Sequence, residues 1–197
     1  MKLVLPPTVA VLRADEAPGI DPDAVERIEE GFVVAYPDEP DRWTYFAKIN
    51  VNAPALWDVF EALAATLPDR VGPIAGFPNE EPALLPYASR DAILSILRLF
   101  KKELSFDAFL EFGITAQTYS EIEEVWLTGE KFFKVWGRDE ASFRRVMETL
   151  GLREVPELRF VDEFPHSHTT LSYVDKSALH AADVLDEIVE RLRALEE

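Results

Sequence analysis

The stretch covering residues 120–136, SEIEEVWLTGEKFFKVW, decides the fold class. Its two apolar and β-branched runs predict two strands, and Thr128-Gly129-Glu130 between them predicts a tight turn. Asp139 follows closely and can cap a helix whose apolar residues recur at helical spacing. Paired strands that lead into an amphipathic helix are typical of an α+β protein.

A similar order of elements occurs in the first half of the chain. Residues 32–36 and 43–51 predict a hairpin, and a helix and a strand are expected after it. The main predicted helices cover 53–67, 90–104, 140–150 and 176–195, and further strands are expected at 3–12, 71–77 and 158–164. We therefore expect a mixed, mostly antiparallel sheet with about four main helices. Because strand, helix and strand occur twice in this order, the pattern is compatible with two pseudo-repeated halves.

The domain organisation follows from the length of 197 residues, which suits one globular domain. The Pro-rich segment 78–88 is the one candidate boundary, and it would separate internal halves of about 1–80 and 85–197. Since no linker-like stretch separates these halves, we expect a single globular domain over residues 1–197.

The charge of the chain excludes several classes of partner. Asp and Glu number 37 against 20 Lys and Arg, so the formal net charge is −17. Such a surface repels nucleic acid and anionic membranes, and it attracts a basic protein. The first apolar run is too short for a signal peptide, and no run approaches the ~20 apolar residues of a membrane span. We expect a soluble, cytoplasmic protein.

Catalytic and cofactor motifs are absent from the sequence. The chain contains no cysteine, which excludes disulfides, thiolate catalysis and Cys-ligated metal sites. There is no Gly-x-Ser-x-Gly nucleophile motif and no glycine-rich phosphate loop. These absences favour a non-enzymatic protein that carries no cofactor.

His166-Ser167-His168 is the one spacing that suits a metal site. On a strand, alternate residues share one face, so both imidazoles can meet one ion. Asp162, Glu163 or His180 would then supply a further ligand. On a loop, the two histidines would simply be solvated, and this alternative stays open.

Acidic side chains in the predicted turns are the candidate contacts with a basic partner. Loops carry binding residues more often than core elements do, and charge steers association. The side chains expected to bind the partner are Asp38, Glu39, Asp41, Glu80 and Glu81.

Three short motifs of the second half resemble a group of uncharacterised bacterial proteins, which are small, acidic and α+β. They are Phe109-Leu110-Glu111-Phe112-Gly113, Phe132-Phe133-Lys134-Val135-Trp136 and Phe160-Val161-Asp162-Glu163-Phe164-Pro165, and the resemblance covers roughly residues 83–171. Proteins of this sort are often immunity proteins, which neutralise a toxin from the same locus. The resemblance implies a binding protein, and it implies no catalytic residues.

Three functions remain open at this point. The leading expectation is a protein-binding module of the immunity kind that occludes a basic partner sterically and electrostatically. The first alternative is a metal-dependent hydrolase that uses His166 and His168. The second alternative is a scaffold or oligomerisation module, and the sequence leaves the oligomeric state open.

Overall fold

The computed structural model describes residues 3–12, 15–17, 19, 21–39 and 42–196. Its strands are β1 (Val9–Val11), β2 (Gly31–Ala35), β3 (Tyr45–Asn50), β4 (Arg70–Gly76), β5 (Ala83–Leu84), β6 (Ala88–Ser89), β7 (Glu111–Gln117), β8 (Ile122–Leu127), β9 (Phe133–Gly137) and β10 (His166–His168). Its helices are α1 (Pro22–Val25), α2 (Leu56–Ala64), α3 (Arg90–Leu97), α4 (Lys101–Phe106), α5 (Glu140–Thr149), α6 (Leu171–Val174) and α7 (Ala181–Arg193). The predicted α+β class, with a mostly antiparallel sheet, is confirmed.

The main sheet has the strand order β2-β3-β9-β8-β7-β4-β5, and β6 also pairs with β4. Each of these pairs is antiparallel. Strands from both predicted halves of the chain therefore share one sheet, since β3 pairs with β9 and β4 pairs with β7.

Helices cover one face of the sheet and enclose the main core. Along β3, every second residue is buried, with Tyr45, Ala47 and Ile49 directed to the helices. Helix α2 contacts β8 and α5, and helix α7 contacts α3 and β4. Phe60 and Phe112, which are among the largest fully buried side chains, meet in this layer. The apolar stripes of the helices thus bury against the apolar face of the sheet, as the α+β pattern predicts.

Several predicted elements differ from the structure. Residues 158–164 form no strand. Leu158 and Phe160 pack against Phe132 instead, and the backbone forms a 3₁₀ turn at Val161–Glu163. The second strand–helix–strand unit therefore lacks its last strand. The predicted helix over 90–104 is interrupted by a 3₁₀ turn at Arg98–Phe100. The predicted last helix begins later, at Ala181.

A small second sheet stands apart from the main one. Strand β1 is shorter than the predicted strand over 3–12, and it pairs antiparallel with β10. We call this pair the β1–β10 ribbon. Its apolar side, which includes Val9, packs with Ala108 and Val161 in a separate small core. Among the described residues, no helix has the length and apolar character needed to cross a membrane.

Candidate metal centre

Both histidines of the His166-Ser167-His168 motif lie on the β1–β10 ribbon. Val11 faces His166, and Val9 faces His168, in the antiparallel register. Because side chains alternate along a strand, the two imidazoles share one side of the ribbon. Their ring centroids lie 4.9 Å apart. The structure therefore places this motif on a strand and not on a loop.

A third candidate ligand, Glu130, comes from the turn between β8 and β9. The backbone N–H of Lys131 donates to the carbonyl of Thr128, and Lys131 has a left-handed φ of 64°. The Lys131 side chain is fully buried, and its Nζ donates to the carbonyl oxygens of Leu104 (3.0 Å) and Leu110 (2.7 Å). This buried lysine ties the turn to the preceding helix and loop.

The turn is also tied down through Gly129. Its backbone N–H donates to Oε1 of Glu111 at 2.8 Å. A Cβ atom at Gly129 would lie 2.8 Å from the carbonyl oxygen of Ala108 and 2.8 Å from Cγ of Pro78, which is closer than real contacts allow. The close approach therefore requires glycine, and it holds Glu130 in a defined place beside the ribbon.

Glu130, His166 and His168 form one cluster of ligand atoms. Oε1 of Glu130 lies 3.8 Å from Nε2 of His166 and 3.9 Å from Nε2 of His168. One ligand atom from each residue lies within 4.8 Å of the other two. All three side chains are partly buried, at 17–24% exposure. The cluster is accordingly sheltered, yet it stays accessible from solvent.

The hydrogen bonds prepare the imidazoles to act as ligands. Nδ1 of His166 lies 2.7 Å from the carbonyl oxygen of Phe164. Because a carbonyl only accepts, Nδ1 carries the proton and Nε2 keeps its lone pair. Nε2 of His168 is buried and has no hydrogen-bond partner in the described part of the chain. Buried polar atoms are rarely left unpaired, so this nitrogen is available to a water molecule or a ligand.

Burial affects the protonation of two groups at the site. It lowers the pKa of His168; the charge of Glu130 raises this pKa in part, and the electrostatic influence of His166 and Lys131 lowers it. Burial also lowers the pKa of Lys131 to about 7, against the charges of nearby carboxylates. A lowered pKa keeps the imidazole of His168 neutral, which is the form that binds a metal ion.

The ligands expected beside the histidine pair lie elsewhere. Asp162 forms an ion pair with Lys48, whose Nζ lies 3.3 Å from Oδ1. Glu163 binds Arg159 at 2.7 Å and the backbone N–H of Phe160 at 3.0 Å. Nδ1 of His180 lies 3.3 Å from Oγ of Ser172. The structure thus brings none of these three residues into the cluster with His166 and His168, where Glu130 takes the expected place.

The side chains predicted to bind a partner fall into two separate groups. Asp38 and Glu39 are exposed in the loop before β3, and Glu80 and Glu81 are exposed in the loop after β4. Strands β3 and β4 run in the same direction across the sheet, so these loops lie at opposite ends of it. Asp41 lies outside the described residues. The predicted contacts therefore form no single patch.

Sequence reasoning missed Glu130. It identified the turn that contains this residue, yet turns often carry acidic residues for solubility alone. The pairing of β10 with β1, and the position of that ribbon beside the β8–β9 turn, have no local signal in the sequence. The buried Lys131 next to Glu130 is equally hidden, because lysine in a turn is usually solvated.

Comparisons with protein-family models, with curated proteins and with solved structures found no match. The resemblance to bacterial proteins of the immunity kind therefore stays a prediction. The case for a function rests on the geometry of this chain.

Proposed function

We propose that the protein binds one divalent transition-metal ion through Glu130, His166 and His168, and that zinc is the first ion to test. The observation that carries the proposal is the convergence of three ligand atoms on one point, with the buried Nε2 of His168 left unpaired. Two imidazoles and one carboxylate are a donor set that zinc commonly takes in proteins.

The two distances from Glu130 to the histidines require little movement for an ion to bind. Tetrahedral zinc with bonds of ~2.0–2.1 Å places its ligand atoms about 3.3 Å apart. Glu130 lies 3.8 Å from His166 and 3.9 Å from His168. Each of these pairs has to close by about 0.5 Å, which rotation of partly exposed side chains can supply.

Metal content and zinc titration test this proposal directly. The protein is stripped with a chelator, and zinc binding is followed by calorimetry and by the shift in the midpoint of thermal unfolding. We expect one zinc ion per chain, and we expect bound zinc to raise the unfolding midpoint, because a ligand that binds the native state stabilises it. Weak binding that stabilises nothing would contradict the proposal.

Variants locate the site, and the chain supplies a matched control. His168→Ala and Glu130→Gln should each lower zinc affinity by more than about 100-fold, since loss of a direct ligand exceeds the 10–100-fold effect of an outer-shell change. His180→Ala removes the one other histidine, which lies outside the cluster, and should leave the affinity unchanged. Equal effects of His168→Ala and His180→Ala would exclude this site.

Hydrolysis is the chemistry that such a site can support. A zinc ion held by Glu130, His166 and His168 would supply a water molecule that is activated for hydrolysis near neutral pH. Zinc-dependent cleavage of 4-nitrophenyl acetate or bis(4-nitrophenyl) phosphate, lost in Glu130→Gln and kept in His180→Ala, would support a metal-dependent hydrolase. Zinc binding without cleavage of either probe would leave a structural metal centre.

We also propose a second function, an acidic module that binds a basic protein, in the manner of an immunity protein. It is favoured by the exposed acids Asp38, Glu39, Glu80 and Glu81, for which no ion pair is seen within the described residues. Together with the net charge of −17, these side chains attract a basic surface.

The two loops offer an internal control for this second function. Asp38→Lys with Glu39→Lys, and Glu80→Lys with Glu81→Lys, reverse the charge at opposite ends of the sheet. A partner that docks at one loop should lose association rate in one double variant alone, and added salt should weaken its binding. If neither added salt nor either double variant changed the association rate, electrostatic recognition by these loops would be excluded.

A further inference from the structure

The interruption of the predicted helix over 90–104 shapes a groove on the helical side of the molecule. Helix α3 ends at Leu97, and a 3₁₀ turn at Arg98–Phe100 redirects the chain into α4. A groove of about 330 Å³ lies between this break and the start of α2. Its size is at the lower end of the ≈ 300–1,000 Å³ that small-molecule sites occupy.

The walls of the groove are largely apolar. Trp57 and Pro54 contribute from the segment that begins α2, and Phe106 contributes from the end of α4. Leu99 also lines it and is 62% exposed, which is a large exposure for a leucine side chain. Such a surface can take up the hydrocarbon part of a small molecule.

Ser105 adds an unsatisfied polar atom to these walls. Ser105 is 2% exposed, and its Oγ has no hydrogen-bond partner in the described part of the chain. A buried hydroxyl without a partner is uncommon in native proteins, and this one belongs to the groove lining. Because Oγ itself is buried, a ligand can accept a hydrogen bond from this hydroxyl only when a neighbouring side chain of the wall moves aside.

The charged side chains that line the groove are cationic. They are Arg98, Lys101 and Lys102, and no carboxylate occurs among the described lining residues. Arg98 binds Glu61, and Lys102 lies 2.8 Å from Asp175. The ion pair of Lys101 with Asp58 is looser, at 3.6 Å between two side chains that are 54% and 72% exposed. A ligand anion can therefore take over Lys101 at little cost.

We propose that this groove binds a small amphipathic anion, with its apolar tail against Trp57 and Leu99 and its carboxylate or similar head toward Lys101 and Ser105. This site is separate from the metal centre, and it needs no metal ion. On a chain with a net charge of −17, long-range attraction favours cations. A preference for an anion must consequently come from local groups.

Octanoate and octylammonium make the first test, because they share an eight-carbon tail and differ in the sign of the head group. Binding is measured by calorimetry on the full chain at moderate salt, in the presence of a chelator. We expect octanoate to bind about tenfold or more tightly than octylammonium, the effect of one charge-assisted hydrogen bond. Equal binding, tighter binding of octylammonium, or no binding of octanoate would overturn the proposal.

Two variants assign the octanoate site to the groove. Leu99→Asp places a negative charge beside the tail at an exposed position that folding tolerates, and it should abolish binding. Leu195→Asp changes an exposed leucine outside the groove lining and should leave binding unchanged. Ser105→Ala should weaken octanoate several-fold and leave octylammonium unaffected, without loss of stability, because the hydroxyl has no partner to lose. Octanoate binding that survives both Leu99→Asp and Ser105→Ala would place the ligand elsewhere.

Discussion

Two connections between antiparallel strands, the β8–β9 turn and the loop between β2 and β3, differ in how they present their acidic side chains. The turn contains the fully buried Lys131, and its backbone is bonded to Glu111. The loop carries the exposed Asp38 and Glu39. A connection that is fixed from inside can hold a ligand atom to within a fraction of an ångström. Exposed side chains such as Asp38 and Glu39 contribute charge without such a fixed position.

The largest effect is expected when the internal anchor of the turn is removed. Lys131→Ala leaves a cavity and deprives the carbonyls of Leu104 and Leu110 of their donor. We expect the free energy of unfolding to fall by about 3 kcal/mol in urea titrations, from the lost packing and hydrogen bonds. Glu39→Ala, in the solvated loop, is the paired control. Similar losses in both variants would remove the contrast between the two connections.

A smaller loss is expected from crowding the turn. In Gly129→Ala the new methyl group collides with the carbonyl of Ala108, so the turn has to shift. We expect a loss of about 2 kcal/mol in unfolding free energy and about a tenfold loss of zinc affinity, as Glu130 moves away from the histidines. Glu130→Gln separates the two effects, since it should lose zinc and keep stability. Unchanged zinc affinity in Gly129→Ala would mean that the turn does not position Glu130.

The pH dependence of stability is a third way to test the buried lysine. The pKa of Lys131 is about 7 in the folded protein, below that of a lysine in the unfolded chain. At pH values between these two pKa values, Lys131 is protonated to a greater extent in the unfolded chain than in the folded protein. This residue therefore makes the free energy of unfolding rise with pH. Relative to Lys131→Met, the wild type should gain up to ~1.4 kcal/mol per pH unit. Unfolding between pH 7 and 9.5, with a chelator present, measures the difference.

The upper limit of that pH range is set by Tyr45. Burial raises the pKa of the Tyr45 hydroxyl above its usual value. Above about pH 10 this hydroxyl ionises in the unfolded chain but not in the folded protein, so the protein loses stability as the pH rises further. Lys134→Met, at a partly exposed position in β9, is the control and should leave the slope unchanged. An equal slope in wild type and Lys131→Met would mean that Lys131 keeps its ordinary protonation.

The smallest effect is expected in the solvated loop. Asp38→Asn and Glu39→Gln should change the free energy of unfolding by no more than about 0.5 kcal/mol, because both side chains are exposed. Their effect should appear instead in the association rate with a basic partner. A destabilisation of 2 kcal/mol or more in urea titrations would show that these two side chains make stabilising contacts.

Local patterns predicted most of the fold. The sequence predicted the hairpin of β2 and β3 and the Ser89 cap of α3, because both depend on residues that are close together in the chain. The break at Arg98–Phe100 was not, since no proline or glycine marks it. Leu158 and Phe160 looked like strand residues because apolar side chains that pack on Phe132 give the same composition as a strand.

The candidate site was only partly predictable for a related reason. His166 and His168 share a face through local alternation, which the sequence displays. Glu130 lies beside them only because the ribbon packs against the β8–β9 turn. The spacing of residues in the sequence does not indicate such long-range packing. The groove beside Leu99 and the orphaned hydroxyl of Ser105 depend on a helix break that was also invisible.

The β1–β10 ribbon has a consequence for how the protein is made. Strand β1 leaves the ribosome long before His166–His168 does, because the strands of the main sheet lie between them in the chain. Until then β1 is an unpaired edge, and closing so long a loop is a slow step. The histidine pair therefore joins β1 only after the main sheet has been synthesised, and nascent chains that stop before residue 166 expose β1 to aggregation and lack two of the three proposed metal ligands.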